Sequence, residues 1–356
     1  MSLRGAVPAA VLVVFLGAAC GAVGPARPVD RVAVDMRTEN RTLREVAADR
    51  DLRIGSVYQD DPDTRYQAVF AREYNVMTAY VGWEMVHRES RMSYDFTSTD
   101  EAVGFGEQNG FEIQGQSLVW YYLIPDWVTR LPRSQVEAAM NEHIDRVVGR
   151  YAGRVKAWNV VNETTNDDGS DLRRGFAWSD AMGDDYIAKA FLRAHRADPK
   201  AILYCNETGM EREEVRFNTV KRLLRNLLDR GVPVHALGWQ MHVEPDFDSG
   251  PLLARMTEIA EMGIDNYITE LDVKLPENPT PEDYEIQRRI YRDVVRIFLQ
   301  APRRRTLVVW GLRDGLDQDW LPRNHPLPFD ERFERKPAYF GIREALQTGL
   351  TPPAPR

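Results

Sequence analysis

From about residue 50 to about residue 350, short apolar runs alternate with longer stretches whose apolar positions recur every three or four residues. The short runs are Arg53–Val57, Val76–Val81, Phe111–Gly115, Val155–Val161, Ala201–Cys205, Val234–Gln240, Asn266–Leu271 and Thr306–Gly311. They are too brief for buried helices and too continuously apolar for one-sided strands, so they predict strands covered on both faces. Gln135–Tyr151, Tyr186–Ala197, Glu211–Arg230 and Pro281–Phe298 carry helical spacing. Gly110, Gly231 and Gly263 each follow a helical run and precede a strand, where a left-handed helix cap is expected. Strand and helix alternating in this way predict βα units around a parallel sheet, and eight strands favour a closed (β/α)8 TIM barrel over an open sheet. No Pro- or Ser-rich linker interrupts the pattern, so a single domain over residues 42–347 is expected.

The ends do not fit that pattern. Arg4 precedes an apolar run from Val7 to Ala19, and small residues surround Cys20 and Gly21. Residues 1–24 therefore read as a secretory signal, too short for a comfortable membrane span. Leu16-Gly17-Ala18-Ala19-Cys20 resembles a bacterial lipoprotein processing site, which makes Cys20 a candidate lipid anchor and the one expected contact with a membrane. Export to the cell surface or beyond follows as the expectation. Residues 25–41 read as a tether and residues 348–356 as a flexible tail. Outside the signal the body keeps one cysteine, Cys205, so no internal disulfide can form and a buried core thiol is expected.

Charge narrows the partners. With 46 basic against 54 acidic residues the net charge is −8, which gives a phosphate backbone little general attraction. Nucleic acid is not expected as a partner, and a monomer acting on a small or polymeric ligand is. The 8 Trp, 14 Tyr and 13 Phe would suit stacking on flat ligands such as sugar rings, though core packing also uses them. The six histidines show no HExxH spacing and no CxxC occurs, so a zinc site is not expected. There is no P-loop and no GxSxG elbow, and Gly104-Phe105-Gly106 reads as part of a helix capped at Gly110. Asn166-Asp167-Asp168-Gly169 lacks the acidic twelfth position of a calcium loop and reads as a turn.

A barrel should collect its active residues at the C-terminal ends of its strands. There the chain has Asn162-Glu163, Asn206-Glu207, Gln240 with His242, Glu270 with Asp272, and Trp310. Two carboxylates facing one pocket, Glu163 and Glu270, could divide the work of glycoside hydrolysis between a nucleophile and a proton donor. The competing reading makes both salt-bridged groups at the barrel mouth. Period-two spacing puts Gln240 and His242 on one strand face with Trp239 on the other, and pairs Glu270 with Asp272. His242 among carboxylates could hold a nucleophile in place, or be a satisfied structural histidine. Trp120, Trp127, Trp310 and Trp320 could stack on sugars or fill the core.

These residues resemble glycoside hydrolase family 10, whose best-known members are endo-β-1,4-xylanases. Trp158-Asn159-Val160-Val161-Asn162-Glu163 is similar to the family's acid/base segment, and Ile268-Thr269-Glu270-Leu271-Asp272-Val273 to its nucleophile segment. Further stretches match in the family's order: Leu118-Val119-Trp120, Asp167-Asp168-Gly169, Gly183-Asp184-Asp185-Tyr186-Ile187, Ala197-Asp198-Pro199, Gly238-Trp239-Gln240-Met241-His242, Trp310-Gly311-Leu312-Arg313-Asp314 and Lys336-Pro337-Ala338-Tyr339. The resemblance implies a retaining hydrolase of xylan or a related β-linked polysaccharide, working without metal or cofactor. Glu270 would attack the anomeric carbon and Glu163 would act as acid, then base. Asn162 and Gln240 would bind the sugar being cleaved, His242 and Asp272 would orient Glu270, and Trp310 would floor the subsite.

The chain departs from the family where the non-reducing part of the substrate is gripped. The usual TPENEMKW-like stretch is replaced by Thr78-Ala79-Tyr80-Val81-Gly82-Trp83-Glu84-Met85-Val86-His87, without the Asn or the Lys, and Glu84 aligns only with two residues inserted. The usual RGHTLVWH becomes Gln114-Gly115-Gln116-Ser117-Leu118-Val119-Trp120-Tyr121, without either histidine. Tyr80, Trp83, Gln116 and Tyr121 are expected to occupy or flank those positions, and Gln116, Tyr121, Trp120 and Trp320 to contact substrate. The alternatives are the same chemistry on a different β-glycan, or a glycan-binding protein that has lost catalysis.

Overall fold

Ten strands form one sheet among residues 41–315 and 324–348, which the computed structural model describes. They are β1 (Arg53–Val57), β2 (Val76–Tyr80), β3 (Glu112–Gln116), β4 (Val119–Trp120), β5 (Ala157–Asn162), β6 (Ile202–Glu207), β7 (Ala236–Trp239), β8 (His242–Val243), β9 (Asp265–Val273) and β10 (Arg304–Val309). All pairings between these strands are parallel. The ring runs β1-β2-β3-β5-β6-β7-β9-β10, and β10 pairs with β1 to close it. This is the (β/α)8 barrel read from the apolar runs, with no strand end moved by more than two residues. The two-residue strands β4 and β8 extend the mouth beside β5 and β9.

The helices explain themselves locally. Pro281–Gln300 starts where Thr280 and Asp283 cap each other: the Thr280 N–H donates to the Asp283 carboxylate at 2.7 Å, and Asp283 N–H donates back to the threonine hydroxyl. Pro281 costs nothing there because the first-turn N–H lacks a helical acceptor anyway. One face of that helix buries Ile290, Tyr291, Val294 and Phe298 against the barrel and its neighbours, each contributing roughly 1.5–3 kcal/mol relative to exposure. The three capping glycines adopt φ of 66°, 70° and 83° at Gly110, Gly231 and Gly263, as their positions predicted.

Inside the ring, Ala157, Tyr204, Ala236 and Tyr267 form a packed floor, with the two tyrosine rings stacked 5.7 Å apart. A larger core fills the space between barrel and helices and includes the buried Cys205. Among the described residues, no helix is long and apolar enough to cross a membrane.

Several expectations change. Arg41, read as the last tether residue, ion-pairs with Asp49 at 2.6 Å and so belongs to the fold. Thr348, read as the start of the tail, caps the last helix by donating its hydroxyl to Glu344 O at 2.8 Å. Trp83 is 3% exposed, donates to Leu118 O, and stacks on His143 at 4.0 Å; it is core rather than cleft. Trp127 joins the same cluster through His87. The signal, Cys20, most of the tether, Trp320 and residues 349–356 lie outside the described residues.

Candidate active site

Two strand irregularities build the mouth of the barrel. Along β5, Asn159 pairs with Tyr204 but Val161 pairs with Cys205, so β5 carries one extra residue. Such a bulge resets the two-residue alternation and re-aims side chains. It lets Asn159 donate to Asn162 at 2.9 Å although the two are three residues apart, a spacing that puts side chains on opposite faces of a regular strand. On β9 the same happens against β10 between Ile268 and Leu271. Consecutive side chains there, Thr269 and Glu270, both reach Asn206, at 2.7 and 2.6 Å.

Asn206 on β6 is the hub. Its Nδ2 donates to Glu270 Oε1 and, at 2.8 Å, to Asn162 Oδ1, while its Oδ1 accepts from Thr269. The neighbouring Gly238 is required, since a methyl group there would lie 2.2 Å from Asn206 Oδ1. Glu270 gathers two further donors: Gln116 Nε2 at 2.7 Å on Oε1, and His242 Nε2 at 3.0 Å on Oε2. The amide of Gln116 is itself oriented, because its oxygen accepts from Asn159 at 2.9 Å. His242 meets Asp272 through Nδ1 at 2.7 Å. Burial works against a charge on this imidazole, but Asp272 first and Glu270 next outweigh it and push its pKa up to about 10.

Glu163 ends β5 in a left-handed conformation, φ 53°, which is uncommon for a residue with a side chain. Its Oε2 accepts from Trp120 Nε1 and its Oε1 from Gln240 Nε2, each at 3.0 Å. Burial raises its pKa; the Gln240 donor opposes that, and the charge of Glu270 adds to it. The two carboxyl groups therefore differ in environment: one is held by three side-chain donors, the other is desolvated and disposed to hold a proton.

Trp310 is buried beside the site, edge-on to Tyr80 at 5.9 Å and to His242 at 6.4 Å. Gln240 and His242 both reach the site, though not along one continuous strand. Met241 between them turns left-handed, φ 66°, so β7 stops and β8 begins. Trp239 points away and donates to Asn266. Tyr121 stands further out, half-exposed, with the Arg173 guanidinium 3.9 Å above its ring. Sequence reasoning missed Asn206 and Asn159 as site residues. Asn206 stood at a strand end and could have been singled out on that ground; Asn159 faces inward because of a bulge that no residue pattern announces. Among the described residues no cluster of His, Cys, Asp and Glu has the arrangement of a metal site.

A parallel (β/α)8 barrel with two glutamates at the ends of β5 and β9, one held by donors and one desolvated, is the architecture of a glycoside hydrolase. The chain matches the model of glycosyl hydrolase family 10 over residues 42–345 and belongs to that family of retaining hydrolases. It is 33% identical to endo-1,4-beta-xylanase B of Thermotoga neapolitana across 86% of this chain and 92% of that one. It is 32% identical to an endo-1,4-beta-xylanase of Geobacillus stearothermophilus across 85% and 97% of the two chains. The crystal structure of xylanase 10B from Thermotoga maritima superposes with a TM-score of 0.81 at 31% identity, over 86% of this chain and 98% of that one.

Proposed function

We propose that the protein is an endo-acting β-1,4-xylanase-like enzyme that cleaves xylan or a closely related β-linked polysaccharide by double displacement. The observation that carries this reading is the unbroken hydrogen-bonded path from Glu163 through Gln240, Asn162 and Asn206 to Glu270, His242 and Asp272. Glu270 attacks the anomeric carbon while Glu163, its proton kept by burial, protonates the departing oxygen. Glu163 then takes a proton from the water that releases the glycosyl-enzyme. Charged His242, braced by Asp272, fixes the Glu270 carboxylate for attack. Asn162 accepts three amide donors through its oxygen, and no described residue accepts from its nitrogen, which leaves those hydrogens for a sugar hydroxyl. Trp310 offers an apolar face to the ring being cleaved. A monomer needs no further residue to complete this set.

Replacing Glu270 by Gln tests the reading, since an amide cannot form the glycosyl ester. Turnover should vanish with folding intact, and a slow fluorosugar substrate should label Glu270 covalently in the parent enzyme. A label on any other residue overturns the assignment. A panel of purified β-glycans, with product sizes read by chromatography, decides the substrate and whether cleavage is internal.

Export, with a lipid on Cys20, is proposed from Arg4 and the apolar run Val7–Ala19. The mass of the mature N-terminus decides it: a diacylglycerol adduct on Cys20 supports the anchor, and an unprocessed Met1 overturns export.

A further inference from the structure

Glu207, the last residue of β6, is 1% exposed. Its Oε2 accepts from Thr164 Oγ1 at 3.0 Å and from Thr165 N at 3.1 Å, the two residues that follow Glu163. Its other oxygen accepts from Thr208 N at 3.2 Å. The preceding residue, Asn206, adds its carbonyl, which accepts from Glu163 N at 2.9 Å. Two consecutive residues of β6 thus hold the backbone on both sides of Glu163, at the point where φ of 53° departs from what a glutamate prefers.

A buried cation grips the same loop from the other side. Arg216, 5% exposed on the helix Glu214–Asp229, donates to Thr165 Oγ1, to Asn166 O at 3.0 Å and to Asp167 O at 2.7 Å. Residues 164–167 are therefore strapped between a carboxyl and a guanidinium, neither of which has a part in the chemistry set out above. Burying either group unpaired would cost several kcal/mol, so their retention in one loop needs a reason.

We infer that Glu207 is a positioning residue for Glu163: by holding the Thr164 hydroxyl and the Thr165 backbone N–H it keeps the left-handed turn that aims the Glu163 carboxyl at the leaving-group oxygen. This rests on the reading of Glu163 as acid and base. Proton donation is sensitive to angle and distance, so a turn free to relax to ordinary φ would carry the carboxyl off line. Burial and then the charge of Glu163 raise the pKa of Glu207 to about 7, while Thr164, Arg216 and Thr165 oppose the rise. The other ionisable groups that face it are Tyr121 after β4, Tyr186 on the helix Asp185–Ala197 and Cys205 on β6 itself. Glu207 acts on Glu163 through its hydrogen bonds to the loop.

The test compares two substrates in kcat/KM, which reports the first displacement. One is an aryl glycoside with a dinitrophenolate leaving group, which departs without a proton; the other is an unactivated oligosaccharide. Glu207→Ala should lose at least 10-fold on the oligosaccharide and less than 3-fold on the aryl glycoside. Thr164→Val, which removes one bond of the clamp and leaves every carboxyl in place, should show the same selectivity at smaller size and serves if Glu207→Ala does not fold. Glu207→Gln, which keeps an acceptor for Thr165, should recover most of the oligosaccharide rate. Equal losses on both substrates, or no loss on either, overturn the clamp. Glu163→Ala run alongside separates the causes. If it discriminates between leaving groups and the Glu207 and Thr164 variants do not, only the clamp falls; if it does not discriminate, the acid/base reading falls and the clamp with it.

Discussion

Gln116 donates its amide hydrogen to Glu270 at 2.7 Å, at the position where the family pattern has a histidine. The bond is made by a neutral group whose orientation Asn159 fixes, so it is present at any pH the fold survives. A hydrogen bond to a charged acceptor is worth roughly 1.5–3 kcal/mol. Gln116→Ala should therefore lower kcat/KM by about 10- to 100-fold, with little change in thermal midpoint. Gln116→His should restore part of the loss and add a dependence on pH near neutrality. A Gln116→Ala enzyme with parental kcat/KM would show that Asn206 and His242 hold Glu270 without it.

The proton on Glu163 should set the basic limb of activity. Its pKa is raised, chiefly by burial, so the limb should lie above the ordinary glutamate value of about 4.3, with activity falling as pH rises through it. Gln240 opposes that rise by donating to the carboxylate. Gln240→Leu should accordingly move the limb to higher pH even as it lowers the rate. Glu163→Ala should spare aryl glycosides with good leaving groups, lose natural glycans, and yield a β-azide product when azide is added. A pH profile unmoved by Gln240→Leu would separate that limb from Glu163.

His242 links the site to stability. Its pKa is about 10 in the folded protein and about 6.5 in an unfolded chain, so the folded form holds its proton more tightly. The resulting stabilisation is fully present below about pH 6.5 and is lost as pH rises toward 10. Unfolding by urea at pH 6 and pH 9.5 should show a fall of a few kcal/mol at most in the parent protein. His242→Gln should flatten that fall, because an amide has no proton to lose. An equal fall in both proteins would assign the alkaline loss to other groups.

Much of the fold was legible because eight apolar runs and three capping glycines each carry a local signal that tertiary structure did not override. The two glutamates were legible for a related reason, since a barrel presents the residue after each strand to one common mouth. What stayed hidden depends on register. Asn159 and Thr269 join the site through bulges, and one extra residue in a strand leaves no mark in its hydrophobicity. Trp83 was misread because a tryptophan in a loop after a strand looks like a cleft residue until His143 and Trp178 are seen packed around it. Distant segments also explained one another only in three dimensions. Asp314, next to Trp310 in sequence order, is held by Lys336 at 2.6 Å, which joins two stretches that the sequence showed as separate matches.

That buried pair gives a stability prediction. Lys336 and Asp314 are 6% and 4% exposed, and the lysine also donates to His325 O at 2.6 Å. Removing one partner leaves an uncompensated charge, which typically costs 3–5 kcal/mol in buried pairs. Lys336→Met should lower the thermal midpoint and loosen the segment after β10 that carries Trp310. Pairing it with Asp314→Leu should recover much of the stability, because no buried charge then remains. A single Lys336→Met variant as stable as the parent would mean that Asp314 is protonated there.

The last prediction concerns the grip on the glycone. Family members have a lysine in the stretch that is Thr78–His87 here and two histidines in the one that is Gln114–Tyr121, which this chain lacks there, and polar sites of that kind reject a ligand that leaves their groups unpaired. Here Gln116 already gives one amide hydrogen to Glu270 and accepts from Asn159, so at most one hydrogen is left for a sugar. Tyr80 packs edge-on against Trp310, which adds aromatic surface where a charged contact would otherwise meet the ring. Trp83, buried in the core, neither blocks nor lines the cleft. The side of the cleft next to Glu270 is thus poorer in free donors and richer in apolar surface. Short unbranched xylo-oligosaccharides, which depend on those donors, should be cleaved with kcat/KM about 10-fold or more below ordinary family members, equal to about 1.4 kcal/mol of transition-state binding. A decorated or different β-glycan that offers more stacking surface should be preferred. The measurement is kcat/KM for xylohexaose beside arabinosylated and glucuronosylated xylan fragments and mixed-linkage glucans. Xylohexaose cleaved at a rate typical of the family, and faster than every other glycan in the set, would refute the prediction while leaving Glu163 and Glu270 in their roles.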